Sequence, residues 1–396
     1  MNYLEIKNFG PIKEGYCDNV MPISPITIIC GNQGTGKSTI AKLISLFCWM
    51  EKAFVRGDYS VNKKTEVGSF LRQHCSYHRI HNYFQSNTEF HFYGQEYDFH
   101  YWQEQFAIKP KGEKTEYLMP KIMYIPAERN ILSVVEHPEI LKEIPESLFS
   151  MYSEFDKARK AIKKDSPLPI KGYSYRYDQL NNTSWLVNND LRVKVSEAAS
   201  GFQSLIPLSL VVRYMTYLVD SGQSTHIDSE QQQKIDKRVA TILADDSITE
   251  DLRKLLISQL SESTKYRRTI NIVEEPEQNL YPSAQKDVLY SLFTLFNIGE
   301  ATNNLIITTH SPYLIDYATL AIKAQQVVDS NPDLDSKVEP IVPEKARIKA
   351  EDLSVYQIED GRILPLDTFD GMPSDHNMLN QELNNTNELF AQLLDM

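Results

Sequence analysis

The chain has 396 residues, of which 41% are hydrophobic and 24% are charged, a balance typical of a globular protein with a sizeable core. A net charge of −12 argues against a surface that is basic all over, although one basic groove on an acidic body stays compatible with it. Since no purely apolar run approaches the roughly 20 residues of a membrane span, we expect no membrane transporter.

The cysteines and the first residues indicate the compartment. Cys17, Cys30, Cys48 and Cys75 form no C-x-x-C pair. The opening residues, MNYLEIKNFG, lack the basic start and the apolar stretch of a signal peptide. We therefore expect a reduced, cytoplasmic setting.

The first part of the chain alternates between strand and helix patterns. Tyr3–Ile12 alternates apolar and polar residues and ends in a Gly-Pro turn signal, which predicts an edge strand. Pro25–Ile29 is continuously apolar, as in a strand that is buried on both faces. Ser38–Met50 has apolar residues at helical spacing, so strand, loop and helix form the first unit of an α/β sheet.

The loop between that strand and helix has the pattern G-x-x-x-x-G-K-S, from Gly31 to Ser38, which we call the P-loop. Its backbone N–H groups and the helix N-terminus would face phosphates, Lys37 would reach the β- and γ-phosphates, and Ser38 would bind Mg²⁺. The sequence therefore predicts a nucleoside triphosphate site. Its binding residues are Asn32, Gln33, Gly34, Thr35, Gly36, Lys37, Ser38 and Thr39.

Residues 51–120 are crowded with aromatic residues and histidines. Alternation on both sides of Gly94 predicts a hairpin, and we interpret the segment as a small antiparallel β lobe. Three histidines and a cysteine follow one another closely here, but their spacing matches no common zinc pattern, and one helix face is the favoured alternative to a metal site. These residues are His74, Cys75, His78 and His81.

The later segments differ in pattern. Lys121–Asn130 predicts a strand that runs into a polar turn, and a mixed insertion follows at 131–195. Ser200–Val219 predicts a mostly buried apolar helix. Residues 220–268 are polar and helical in pattern, which predicts an inserted helical hairpin that docks a partner, and 317–396 form a C-terminal subdomain.

Two further strands end in residues that suit phosphate chemistry. Thr269–Glu275 is apolar until its two terminal carboxylates. Glu274 could hold Mg²⁺ through its water shell, and Glu275 could polarise the attacking water. His310 ends the later apolar strand and could contact the γ-phosphate or that water.

A second anion site is predicted where a Ser-Gly step opens a helix. It would consist of the helix N-terminus with Ser200, Gly201 and Gln203. One triphosphate rarely needs two such sites in one chain, whereas a dimer does. We therefore expect Ser200 of one subunit to complete the pocket of the other.

In order, these elements resemble the ATP-binding-cassette (ABC) ATPases, in the branch that contains SMC proteins, RecF and the OLD-family ATPases. The matching motifs are the P-loop, the signature ASGFQS, the Walker B segment INIVEEPEQNLYP and the switch-histidine segment ITTHSP. The resemblance covers the ATPase core at Met1–Asn130, Val195–Asp220 and Thr269–Asp316. It implies an α/β fold: one ABC-type P-loop ATPase head over 1–396, with a mixed sheet, an antiparallel lobe and an inserted helical hairpin.

The sequence departs from the family pattern at three places. Walker B usually ends in Asp-Glu, whereas this chain has Glu274-Glu275, as OLD-like ATPases often do. The turn after the strand IMYI offers no Q-loop glutamine, so Glu128 or Arg129 would act there. Phe202 stands where transporters usually have a second glycine.

The resemblance also implies cofactors and partners. ATP and Mg²⁺ would be bound and ATP hydrolysed by a homo-oligomer. The D-x-D at Asp333–Asp335 reads as a loop, so we expect no Toprim nuclease in this chain. A lone OLD-like ATPase resembles the ATPase subunits (AriA) of PARIS anti-phage systems, which hold a separate Toprim nuclease and release it on sensing a phage protein.

The alternative function is a RecF-like repair ATPase that clamps DNA between paired heads. Its best support is the basic run Lys157–Lys164, for which a solvated helix face is the plainer explanation. The acidic total charge is its weakness.

Overall fold

The structure is a computed structural model. It describes residues 1–59, 70–112, 116–135, 144–223, 229–245, 249–250, 252–254, 256, 265–299, 303–375 and 377–396.

The described strands are numbered in chain order. They are β1 (Asn2–Phe9), β2 (Gly15–Tyr16), β3 (Met21–Ile23), β4 (Ile26–Gly31), β5 (Phe84–Tyr93), β6 (Tyr97–Trp102), β7 (Gln105–Pro110), β8 (Pro120–Ile125), β9 (Ser166–Pro167), β10 (Ser174–Asp178), β11 (Thr183–Val187), β12 (Arg192–Lys194), β13 (Arg268–Glu274), β14 (Asn304–Thr309), β15 (Leu353–Glu359), β16 (Arg362–Pro365), β17 (Thr368–Phe369) and β18 (Met372–Pro373).

The described α-helices are numbered in the same way. They are α1 (Lys37–Arg56), α2 (Ile131–Val134), α3 (Glu146–Ala161), α4 (Ser200–Asp220), α5 (Ser229–Ala244), α6 (Pro282–Phe296), α7 (Pro312–Ser330), α8 (Asp335–Val338) and α9 (Met378–Leu394).

A seven-stranded sheet carries the nucleotide motifs, in the order β2-β16-β15-β4-β14-β13-β8. From β15 to β8 every neighbouring pair is parallel, while β15 and β16 pair antiparallel, so the sheet is mixed. The carboxyl ends of β4, β8, β13 and β14 therefore meet at one edge, where ligands of open α/β sheets bind. The predicted α/β fold with a mixed sheet is confirmed.

The central strands are buried on both faces, which explains their uninterrupted apolar sequences. Every residue of β4 and of β13 is buried. Ile28 faces the core formed with α4, α6 and α7, whereas its neighbour Ile29 faces the core formed with α1 and the antiparallel lobe. One hydrophobic core thus packs against each face of the sheet.

The antiparallel lobe is a five-stranded sheet in the order β3-β1-β5-β6-β7, with the predicted hairpin at Gly94 between β5 and β6. The prediction that Tyr3–Ile12 forms an edge strand is wrong, because β1 lies between β3 and β5. The alternation of apolar and polar residues shows only that one face of the strand is buried, and Leu4 and Ile6 are fully buried there. An inner strand of an antiparallel sheet has the same pattern as an edge strand.

One buried carboxylate ties α1 to this lobe. Glu51 Oε1 accepts hydrogen bonds from the backbone N–H groups of Glu96, at 2.7 Å, and Tyr97, at 3.2 Å. A Cβ on Gly94 would lie 2.4 Å from the same oxygen, so the turn requires glycine. The helix that begins at the P-loop is thereby anchored to the lobe.

The histidine-rich stretch packs into the lobe. His74 and His78 are buried, and Leu71–Cys75 forms a π-helical turn rather than a regular helix face. Within the described ranges, no group of His, Cys, Asp or Glu side chains is arranged to hold a metal ion. Cys17, Cys30, Cys48 and Cys75 are free thiols.

The insertion after β8 contains α3 and a four-stranded sheet in the order β12-β11-β10-β9. The basic run begins on α3, where Lys157 pairs with Glu154 and Lys160 pairs with Asp156. These two lysines thus lie beside acids of their own helix.

Three remaining predictions concern helices. The first helix predicted in 220–268 is α5, and the second falls mostly outside the described residues. Where the sequence predicts a loop at Asp333–Asp335, the structure has a 3₁₀ turn followed by α8. In the part of the chain that the structure describes, α4 alone is long and apolar enough to span a membrane, but 67% of its apolar window is buried, as in a core helix.

Candidate nucleotide-binding and catalytic site

The predicted site residues follow directly after the strands that converge at one edge of the sheet. Register places Cys30 of β4 beside Thr309 of β14, and Thr308 beside Glu274 of β13. The P-loop, the Walker B carboxylates and His310 therefore come together although Gly31 and His310 are 279 residues apart in the sequence.

The P-loop turns tightly into α1. Gly31, Gly34 and Gly36 have φ values of +152°, +76° and +112°, which disfavour any side chain. A Cβ on Gly36 would also lie 2.6 Å from Ile12 Cδ1. No side chain caps the N-terminus of α1, so its first N–H groups are open to an anion.

Lys37 lies at the centre of this loop. Its ammonium donates to the carbonyl oxygens of Gly31, at 2.8 Å, and Asn32, at 2.7 Å, and lies 3.4 Å from His310 Nδ1. Burial lowers the pKa of Lys37 to about 8, against the opposing effect of nearby Glu275. A phosphate would offer this ammonium better acceptors than the two carbonyls.

Glu274 offers a free oxygen at the expected metal position. Its Oε2 accepts a hydrogen bond from the Ala127 N–H at 3.3 Å. Its Oε1 is buried and makes no hydrogen bond within the described ranges, which suits a ligand to a hydrated cation. Ser38 is exposed at the start of α1, so hydroxyl and carboxylate oxygens fit Mg²⁺ here.

Glu275 and His310 form a pair next to Lys37. Glu275 has φ of +44°, and its N–H donates to the Thr308 carbonyl at 2.9 Å. Its Oε1 lies 3.3 Å from His310 Nε2, and the hydrogen bond to His310 lowers the pKa of Glu275. Lys37, His310 and Glu275 thus form a continuous polar chain.

Glu277 is a site residue to which sequence reasoning assigned no role. Its Oε1 accepts hydrogen bonds from Thr309 Oγ1, at 2.7 Å, and from the His310 N–H, at 2.8 Å. Burial raises the pKa of Glu277. Its position two residues after Glu275, in a segment already rich in acids, is the signal that could have revealed it.

Arg129 joins the turn after β8 to both motifs. Its guanidinium is fully buried and donates to the carbonyl oxygens of Glu274, at 2.6 Å, Glu275, at 2.7 Å, and Ser204, at 3.1 Å. A further bond reaches the Pro126 carbonyl at 3.2 Å. Of the two residues considered for this turn, Arg129 makes these contacts.

The signature helix α4 approaches the Walker B segment closely. Ser204 Oγ donates to Gln278 Oε1 at 3.2 Å, and a Cβ on Gly201 would lie 2.7 Å from the Asn279 carbonyl oxygen. Ser200 is exposed at the first residue of α4.

The neighbouring signature side chains are engaged within their own subunit. The Gln203 amide nitrogen donates to the carbonyl of Ser196 at 2.9 Å and to that of Val195 at 3.3 Å. The Phe202 ring packs 4.6 Å from the ring of Tyr173. Gln203 therefore holds its own loop, Gly201 is buried, and Ser200 is exposed.

We predict that Arg129→Met lowers the free energy of unfolding by about 3 kcal/mol, because buried carbonyl oxygens of three segments lose their donors. Urea unfolding followed by circular dichroism measures this change. As the control, Arg176→Met removes an exposed arginine that pairs with Asp165, and we expect an unchanged unfolding curve. Equal stability of the Arg129→Met protein and the wild type would contradict this role.

The sequence of this chain matches one protein family. Residues 103–315, more than half of the chain, match the model of the AAA_15 family, described as an AAA ATPase domain. The match contains the signature, the Walker B segment and His310, while the P-loop precedes it. A search of curated proteins gives no match.

Solved structures with similarity to this chain include three SMC heads. An SmcHead bound to the C-winged helix domain of ScpA has 10% identity and a TM-score of 0.36, covering 92% of this chain and 96% of its own. The SMC head domain from Thermotoga maritima has 11% identity and a TM-score of 0.38, covering 93% and 98%.

The third is an Smc head with an extended coiled coil bound to the C-terminal domain of ScpA, from Pyrococcus furiosus. It has 10% identity and a TM-score of 0.37, covering 98% of this chain and 100% of its own. The family match and the assembled motifs show that this chain belongs to the AAA ATPase domain family and is an ATPase of that kind.

Proposed function

We propose that this protein is an ATP-hydrolysing sensor and scaffold whose nucleotide pockets close between two copies of the chain. The observation that carries the proposal is the polar chain from Lys37 through His310 to Glu275, which lies at the end of a P-loop. It combines a phosphate-binding cation, a γ-phosphate contact and a carboxylate for water. This is the set of groups that phosphoryl transfer to water requires.

The residues have distinct tasks in this mechanism. The N–H groups at the start of α1 and the Lys37 ammonium bind the triphosphate, and Lys37 exchanges its two carbonyl acceptors for phosphate oxygens. Ser38 and Glu274 would hold Mg²⁺, which neutralises charge on the phosphates. Glu275, an anion held by His310, orients the attacking water and accepts its proton.

The same site explains why two copies would be needed. Ser200 and the N-terminus of α4 are exposed and free to meet a γ-phosphate bound in another subunit. Behind them, Ser204 contacts both Gln278 and Arg129, and Arg129 contacts the carbonyls of Glu274 and Glu275. Binding of a second subunit's nucleotide at the signature would therefore affect the positions of Glu274 and Glu275.

We place this ATPase in a two-component anti-phage system of the PARIS type. The support is the resemblance of its motifs to OLD-like ATPases, in particular the Glu274-Glu275 ending and the segment from Glu275 to Pro282. In this proposal the homo-oligomer is cytoplasmic and holds a separate Toprim-type nuclease. A phage protein triggers release, and the segment 220–268, which includes α5, contributes to docking.

A RecF-like DNA clamp is the alternative. The basic run of α3 would be its contact, but Lys157 and Lys160 already pair with Glu154 and Asp156. Salt-sensitive binding of duplex DNA that strengthens with ATP would favour this alternative.

We predict that Glu275→Gln keeps ATP binding but lowers the hydrolysis rate at least about 100-fold, because the amide cannot accept a proton from water. Lys37→Met is the contrasting variant, since it should weaken ATP binding itself by at least about tenfold. Calorimetric titration and a phosphate-release assay measure the two effects. Full turnover by the Glu275→Gln protein would remove Glu275 from the mechanism.

We also predict that Ser200→Arg abolishes ATP-driven dimerisation while one chain still binds ATP, because the larger cationic side chain blocks the exposed helix N-terminus. Sedimentation velocity in a Glu275→Gln background, where ATP persists, measures the mass. Ser221→Arg places the same substitution just beyond the opposite end of α4 and should leave the dimer intact. A Ser200→Arg dimer of normal affinity would refute the shared pocket.

A further inference from the structure

A cavity of about 560 Å³ lies between α1, α3 and β8, and its described lining contains none of the P-loop residues. Because β8 is the last strand of the seven-stranded sheet, the cavity sits beside the edge of that sheet. Its volume lies in the range of small-molecule sites. The lining includes Trp49, Lys52, Lys121, Tyr124 and Phe149.

One polar group in the lining, among the described residues, is buried without a hydrogen bond or an ion pair. It is Nδ1 of His78, whose residue is 3% exposed. The hydroxyl of Tyr124, also in the lining, interacts with the carboxylate of Glu274. Buried polar groups normally find partners, so His78 indicates that an additional polar group belongs in the cavity.

The cavity also has an excess of buried positive charge. Lys52 is 8% exposed, and its Nζ has a phenol as its hydrogen-bond partner, Tyr266 Oη at 3.3 Å, whose ring centre lies 4.5 Å away. The acids in the lining are Glu146, which is exposed, and Glu154. Glu154 already pairs with Lys121 at 3.2 Å and with Lys157 at 2.8 Å.

A buried ammonium without a carboxylate partner is unfavourable unless an anion joins it or it loses its proton. Burial, together with the nearby cations Arg56 and Lys121, lowers the pKa of Lys52 to about 7, against the opposing effects of Asp58 and Glu154. The other titratable side chains that line the cavity are His74, Tyr77 and Tyr266. None of them supplies a negative charge near neutral pH.

Aromatic side chains border the cavity without being buried. Trp49 is 38% exposed and Phe149 is 48% exposed, and they come from α1 and α3. Large aromatic surfaces that face a concave site favour a flat apolar ligand.

We propose that this cavity binds a small organic anion with a flat aromatic body. Its negative group pairs with Lys52, a polar substituent reaches His78, and its ring packs against Trp49 and Phe149. The site shares no described lining residue with the P-loop, and Tyr124 is the lining residue that also interacts with Glu274.

The test uses 8-anilinonaphthalene-1-sulfonate, an aromatic sulfonate whose fluorescence rises in apolar sites, with the full-length chain. The probe's own fluorescence is excited directly, because all three tryptophans of the chain, Trp49, Trp102 and Trp185, can donate energy to a bound probe. We expect saturable binding that Trp49→Ala weakens. Lys52→Met should weaken the affinity at least about tenfold, the effect of one hydrogen bond to a charged group.

Two surface variants complete the design. Phe149→Glu adds a negative charge at the rim and should also weaken binding of the probe. This variant tests the proposal if the Lys52→Met protein unfolds. Lys323→Met removes an exposed lysine of α7 and should leave the affinity unchanged. Unchanged affinity in the folded Lys52→Met and Phe149→Glu proteins, or in the folded Trp49→Ala protein, would overturn the proposal.

Discussion

The buried guanidinium of Arg129 is the constraint on which the catalytic geometry depends. It holds the carbonyl oxygens at the end of β13, the first turns of α4 and its own turn after β8 in one fixed arrangement. Burial lowers the pKa of Arg129 to about 10, so the group stays charged at neutral pH. A charged fork with three segments as acceptors resists independent movement of any of them.

This arrangement makes the two halves of the nucleotide machinery one unit. Arg129 donates to the backbone carbonyls of Glu274 and Glu275, the two residues that carry the Walker B carboxylates. Its third acceptor, the carbonyl of Ser204, belongs to the helix that begins with the signature serine. On the other side, His310 is fixed through its N–H by Glu277 and links Lys37 to Glu275. Short polar contacts therefore connect His310 and Glu275 with the first turns of the signature helix.

The sequence could predict what depends on local pattern. The P-loop, β13 and β14 each combine an apolar run with a characteristic turn, so their identity and their order follow from a few neighbouring residues. Parallel pairing then brings Lys37, Glu275 and His310 together without further information.

Other features depend on contacts between distant segments and were missed for that reason. The inner position of β1 depends on its pairing with β5, in which Leu4 pairs with Phe92, 88 residues away. The role of Arg129 depends on carbonyls 75 and 145 residues away. The spacing of Glu277 from Glu275 marks it as a candidate, but its hydrogen bonds to Thr309 and His310 depend on where β14 ends in the sheet.

The central claim is that hydrolysis requires a pocket completed by a second copy. The most direct measurement is the ATP turnover rate per chain over a wide range of protein concentration, at saturating ATP and Mg²⁺. The account predicts a rate per chain that is very low in dilute protein and rises with concentration to a plateau as dimers form. A rate per chain that stays constant from monomer to oligomer would contradict it.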